Sequence, residues 1–231
     1  MGKNLRFERK FIYKNVDLEN VIQTVFINSF CFKEVFVRRK VNNIYFDDHN
    51  YSCYKQNVSG VGKREKFRLR WYGDDFNKIK DPVFEIKVKY GEVGDKISYK
   101  MEGFQASLNE LSREEIYRVI SENIKKPKST LRARYGQLQP TLYNSYERKY
   151  YLSFCGKFRI TLDYNQEFFD PDSANFRISR QNIDEREIVL ELKYNIEYDD
   201  EARQITQELN SRLTKNSKYV NGVERIRFLS V

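Results

Sequence analysis

Histidine is nearly missing from this sequence. His49 is the only one, which excludes a histidine-based catalytic triad and a multi-histidine metal centre. Cysteine is scarce too: Cys31, Cys53 and Cys155 are odd in number and show no CxxC spacing. Neither a disulfide framework nor a thiolate zinc site is expected, and a reducing, cytoplasmic setting fits. With 4 prolines and 10 glycines in 231 residues, no linker or low-complexity tail stands out. No apolar run approaches the ~18 residues that span a bilayer. The opening MGKNLRFERKF lacks a signal core and the Ser or Thr needed at the sixth position for myristoylation. The expectation is one domain over 1–231 with no membrane segment of its own, so any membrane contact would come through a partner protein.

What the chain has in quantity is positive charge and aromatic rings. Lys plus Arg number 42 against 33 Asp plus Glu, a formal charge of +9 with a pI near 9.3. That balance favours anionic partners: nucleotide, polyphosphate, nucleic acid or acidic lipid. Aromatics at 15% favour strands. Strand-like stretches read at 5–14, 35–47, 63–72, 83–89, 95–102, 141–153, 157–168, 174–180 and 187–195, divided by short Gly or Asp turns. Helical spacing predicts segments at 17–28, capped by Asp17, at 107–124, opened by a Ser107–Glu110 capping box, and at about 200–213. Gly60-Val61-Gly62-Lys63 lacks the spacing of a phosphate loop and reads as a connection before a strand.

The strands share a pattern. In KFRLRWYG, Arg68 and Arg70 take one face and Phe67, Leu69 and Trp71 the other. Glu8 and Lys10 alternate with Phe7 and Phe11; Glu85, Lys87 and Lys89 with Phe84, Ile86 and Val88; Lys96, Ser98 and Lys100 with Ile97 and Tyr99. Tyr146, Arg148 and Tyr150 share a face, as do Arg159, Thr161 and Asp163, and Glu191 and Lys193. Two architectures satisfy this alternation. One is a sheet with a solvated charged face. The other is a barrel that turns the charged face inward, where like charges require a polyanion to neutralise them.

Eight segments in order, ERKF, VNNIYFDD, FRLRWYG, FEIKVK, YERKYY, FRITLD, VLELKYN and TKNSKYVNG, resemble the catalytic domain of the vacuolar transporter chaperone (VTC) polyphosphate polymerases. These belong to the triphosphate tunnel metalloenzymes. The resemblance runs over nearly the whole chain. It implies an α+β fold: an antiparallel β-barrel of about eight strands closed into a tunnel, with a few amphipathic helices packed outside. It further implies that Lys10, Arg68, Arg70, Lys87, Lys100, Arg148, Arg159 and Lys193 are catalytic phosphate ligands, with Lys215, Ser217, Lys218, Lys89 and Lys96 as further substrate contacts. Glu191 matches the residue that holds Mn2+ or Mg2+, with Glu8 and Glu85 as additional candidates. One departure is local: Arg6 stands where the wider family often has the first glutamate of ExExK.

The implied chemistry is transfer of the ATP γ-phosphate to a polyphosphate chain. Guanidinium forks and ammonium groups neutralise a loose phosphoryl transition state, and a hard cation takes oxygen ligands. The same cradle with water as nucleophile gives an inorganic triphosphatase or polyphosphatase, and without a complete metal site it gives a polyphosphate-binding module. Nucleic acid is not expected as a partner, because single-strand binding places aromatics beside the arginines, whereas Phe67, Leu69 and Trp71 lie opposite them.

Overall fold

The computed structural model describes residues 6–91, 93–123, 136–171 and 186–228. The predicted strand 174–180 lies outside the described residues. Strands β1 (Arg6–Lys14), β2 (Lys33–Asp47), β3 (Lys63–Tyr72), β5 (Val83–Tyr90), β6 (Val93–Lys100), β8 (Gln139–Leu152), β9 (Arg159–Phe169) and β10 (Glu187–Asn195) form an eight-stranded sheet in the order β1-β10-β9-β8-β2-β3-β5-β6. Short strands β4 (Lys78–Lys80) and β7 (Gln105–Ser107) make a separate antiparallel ribbon. The helices are α1 (Leu18–Phe26), α2 (Ser52–Val58), α3 (Arg113–Asn123), α4 (Asp199–Gln207) and α5 (Lys218–Val223). The antiparallel α+β architecture is as the resemblance implies.

The closed barrel is not. Among the described residues the sheet is open, with β1 and β6 as its two ends. The reason at the first end is local. Phe11 bridges Leu213, the Thr214 N–H donates to the Lys10 carbonyl at 2.8 Å, and the Ser211 hydroxyl donates to the Ile12 carbonyl at 3.3 Å. The segment 211–214 thus takes the outer edge of β1 that a closing strand would need.

The chain divides into two compact units, each with its own core. The first comprises Met1–Arg39, Tyr146–Gln166 and Asp184–Asn216. Phe11, Ile160, Leu162, Leu190 and Leu192 supply its sheet side, and Val21, Ile22 and Val25 of α1 with Ala202 and Ile205 of α4 its helix side. The second comprises Lys40–Ser145, Glu167–Ile183 and Ser217–Val231. There Phe67, Leu69 and Trp71, at 1%, 2% and 0% exposure, join Phe84 and Ile86 beneath Ile116 and Ile120 of α3. In each unit the apolar strand face lies under helices, as the period-two pattern requires.

Local signals fared unevenly. Ser107 ends β7, and its carbonyl receives the Glu110 and Leu111 N–H groups in a turn. Helix α3 starts six residues later and is capped by the Ser112 hydroxyl, which accepts from the Glu115 N–H at 3.1 Å. Asp17 sits at the N-cap of α1 but serves through its carbonyl, not its side chain. Asp47 accepts from the Cys53 and Tyr54 N–H groups at 2.9 Å and Asp48 from the Ser52 N–H, so together they cap α2. The fully buried Asp47 also accepts from the Tyr219 hydroxyl at 2.5 Å, which ties α2 to α5. Burial and the adjacent Asp47 carboxylate raise the Tyr219 hydroxyl far above the usual tyrosine range.

Candidate anion-binding site

In the second unit the strand register lines up charge in rows. Residues directly opposite in antiparallel strands share a face. Arg68 pairs with Glu85 and Glu85 with Ser98; Lys66 pairs with Lys87 and Lys87 with Lys96; Arg70 pairs with Val83 and Val83 with Lys100. Glu85, 5% exposed, is the hub of this face. Its carboxylate accepts from Arg68 Nε at 2.9 Å and from Arg68 Nη2, takes Lys96 Nζ at 2.9 Å, and lies 3.9 Å from Arg70 Nη1. Burial alone would raise the Glu85 carboxyl, yet Arg68, Arg70 and Lys96 hold it well below the usual carboxylate range.

Neighbours fix the two arginines. Arg68 Nη1 reaches the Tyr45 hydroxyl at 3.4 Å and its guanidinium lies 5.8 Å from the Tyr45 ring; Arg70 Nε donates to Asn43 Oδ1 at 3.1 Å. Tyr45 in turn stacks on Tyr219 with ring centroids 5.4 Å apart. Ser217 caps α5 and accepts from Lys66 Nζ at 2.7 Å, which sets the half-buried Lys218 at the start of that helix. Lys87 and Lys89 are half-buried, while Lys96 and Lys100 on the edge strand are exposed.

In the first unit a second constellation spans β1, β10, β9 and β8. The register sets Glu8 opposite Lys193, Lys10 opposite Glu191, Glu191 opposite Thr161, and Lys193 opposite Arg159. Lys193 Nζ is 3.0 Å from Glu191 Oε1 and 3.9 Å from Glu8 Oε1, so its ammonium lies between the two carboxylates. Lys10 Nζ donates to the Asn216 carbonyl at 3.0 Å. Arg148 grips Asp163 with two hydrogen bonds, and its guanidinium lies 5.2 Å from the Tyr146 ring. Arg159 and Lys215 are exposed.

The sequence-predicted residues therefore fall into two sets. Lys10, Arg148, Arg159, Lys193, Glu8, Glu191 and Lys215 share the first unit; Arg68, Arg70, Lys87, Lys89, Lys96, Lys100, Glu85, Ser217 and Lys218 share the second. Sequence reasoning missed the residues that orient these side chains: Asp163, Tyr45, Asn43 and Tyr219. Asp163 was legible, since it shares the parity of Arg159 and Thr161. The others act through contacts distant in sequence.

Among the described residues no group of three or more His, Cys, Asp or Glu is placed to hold a metal ion. What the first unit does offer is Glu191, 7% exposed, opposite Thr161, whose buried hydroxyl has no hydrogen-bond partner. One carboxylate and one hydroxyl do not make an all-protein cage. Their oxygens are of the type a hard cation accepts when phosphate and water supply the rest of its shell.

Fold and charge together define an α+β protein whose antiparallel strands carry cationic rows set with isolated carboxylates. The VTC domain model matches residues 5–227, and the chain belongs to the VTC domain family. Among solved structures, a candidate adenylate cyclase from Bacillus halodurans matches at TM-score 0.52 and 15% identity, over 96% of this chain and 98% of that one. A candidate adenylyl cyclase from Hippeastrum, described as showing a dominant triphosphatase activity, matches at TM-score 0.49 and 11% identity, over 94% of this chain and 93% of its own. No curated protein matches the sequence. No described helix is long and apolar enough to cross a membrane.

Proposed function

We propose that this chain is a metal-dependent phosphotransferase that moves the γ-phosphoryl group of ATP onto a linear polyphosphate, the whole chain acting as one VTC-type domain. The observation that supports this most is the run of opposed cations on β3, β5 and β6 around the buried Glu85, in a chain of this family. Arg68 and Arg70, one strand step of about 6.7 Å apart, meet neighbouring phosphoryl groups. Lys87, Lys89, Lys96, Lys100, Ser217 and Lys218 carry the chain onward. Lys10, Arg148, Arg159, Lys193 and Lys215 supply the cations of the first unit.

Glu85 keeps Arg68 and Lys96 oriented, while Glu191, with Glu8 nearby, would hold Mn2+ or Mg2+. Such a cation, when bound, neutralises phosphate oxygens. Lys193, now on Glu191, can turn to a phosphoryl oxygen, because an ammonium on a flexible stem changes partner readily.

Incubating the protein with ATP and Mn2+ and resolving the products on a polyphosphate gel tests the reading. Chains that lengthen with time support the polymerase. Free phosphate without chains replaces it with a hydrolase, and no turnover alongside retained polyphosphate binding leaves a binding module. Glu191→Gln is expected to abolish turnover while leaving tripolyphosphate binding measurable.

A further inference from the structure

We propose that the first unit carries a peripheral docking surface for an anionic lipid bilayer, at the end where α1 stops, β2 begins and the β8–β9 turn projects. The proposal does not rest on the phosphotransferase reading. Phe154 in the turn is 82% exposed, and Ile27 after α1 is 78% exposed with Phe26 beside it at 48%. Single apolar side chains on a surface need no explanation, but contiguous ones do. The Phe154 N–H donates to the Phe30 carbonyl at 3.1 Å, and the Phe26 ring meets the Tyr151 ring edge-on at 5.7 Å, so the helix end and the turn adjoin. Both are held in place. The Ser153 hydroxyl accepts from the Phe158 N–H at 3.1 Å, the Gly156 N–H donates to the Ser153 carbonyl at 2.9 Å, and the buried Asn28 side chain donates to the Ile205 carbonyl at 3.2 Å. Phe30 and Phe158 pack edge to face at 5.3 Å, whereas the same braced turn holds Phe154 outward.

Charge decides what covers this surface. Lys33 Nζ lies 6.0 Å from the Phe154 ring centroid and Lys157 Nζ 4.2 Å from the Tyr198 ring centroid, and both lysines are exposed. The neighbouring carboxylates have protein partners: Glu208 accepts from the Ser29 N–H at 2.7 Å and from its hydroxyl at 2.5 Å, and Glu34 lies 3.4 Å from Lys149. Ammonium groups beside exposed rings suit a headgroup layer, where the cations meet lipid phosphate and carboxylate while the rings reach the acyl boundary. A peptide partner needs a groove with walls. Ile27 and Phe154 are tips, and tips enter a fluid layer.

The test is co-sedimentation with phosphatidylcholine vesicles, with and without phosphatidylserine. The wild type should pellet with the mixed vesicles and stay in solution with phosphatidylcholine alone. Phe154→Ser should weaken binding about tenfold, through loss of one buried ring, and the double variant Lys33→Gln with Lys157→Gln about thirtyfold. These side chains are exposed, so the melting temperatures should match the wild type; Ile27→Ser gives an independent reading should Phe154→Ser fail to fold. Excess tripolyphosphate at matched ionic strength should leave vesicle binding in place. Competition by tripolyphosphate, or binding that Phe154→Ser and Ile27→Ser leave unchanged, would assign it to the protein's general positive charge and overturn the proposal. Absence of vesicle binding would overturn it too, and self-association that Phe154→Ser disperses would then make the surface a contact between copies of the chain. None of these residues lies in the cationic strand rows, so failure here leaves the functional reading intact.

Discussion

Arg148 and Asp163 meet as a two-pronged pair, Nε to Oδ1 at 2.5 Å and Nη2 to Oδ2 at 2.7 Å, with the carboxylate wholly enclosed. Burial opposes the charge on Arg148, but Asp163, Tyr146 and Glu191 raise its pKa well above the ordinary arginine value. The guanidinium is thus a fixed cation whose direction Asp163 sets. Asp163→Asn is expected to cost about 3 kcal/mol of stability, since it removes one partner of a buried pair. It should also weaken tripolyphosphate binding, and denaturant melts with calorimetry read both effects.

Acid should act on the second unit through Glu85. Its folded pKa is depressed, so its contribution to stability is fully present above the ordinary glutamate value of 4.5 and is withdrawn as the pH falls below that value toward the much lower folded one. Melting temperature followed from pH 6 downward should decline less steeply in Glu85→Gln than in the wild type, although the variant starts lower. Parallel curves would assign the acid sensitivity to other carboxylates.

Base should act on the first unit through Tyr13. Burial pushes its hydroxyl up to about 12, and the hydroxyl donates to the Leu209 carbonyl at 2.5 Å. A raised folded pKa stabilises fully below the unfolded value of 10.0 and is lost as the pH climbs through about 12. Tyr13→Phe should therefore be less stable by about 1 kcal/mol at neutral pH and lose less stability between those limits. Stability measured in alkaline buffers checks the crossover.

Gly222 sits on α5 where a methyl group has no room. A Cβ there would lie 2.5 Å from Leu142 Cδ2 and 2.7 Å from Phe168 Cδ1, both on buried side chains. Glycine to alanine ordinarily helps a helix by up to about 1 kcal/mol. Here overpacking of about 1 to 3 kcal/mol outweighs that gain, so Gly222→Ala should be net destabilising in an equilibrium urea titration.

The parity of charges along the strands was readable because a period of two survives any arrangement of neighbours. Phe67, Leu69 and Trp71 went to the core and Arg68 and Arg70 to the other face as their alternation required. Lys66 shares that parity, but which residue of the next strand it faces, Lys87, depends on the register and not on the alternation. Closure of the sheet was not readable, because it turns on which segment reaches the outer edge of β1, and a Thr214 N–H some two hundred residues away takes it. The Ser107 capping box failed for a similar reason. Its residues suit a helix start, but pairing of β7 with β4 claimed the strand, and Ser112 offered the same box a few residues on.

Asp47 and Tyr219 are 172 positions apart in the chain. During synthesis the amides of Cys53 and Tyr54 meet their carboxylate almost at once, but the last acceptor site of Asp47 waits until Tyr219 has been made. The α2 turn is thus an early local structure whose final locking is delayed until the chain has grown past residue 219. Nascent chains halted before residue 219 should hold that turn in rapid exchange with solvent, and chains that extend past α5 should protect it.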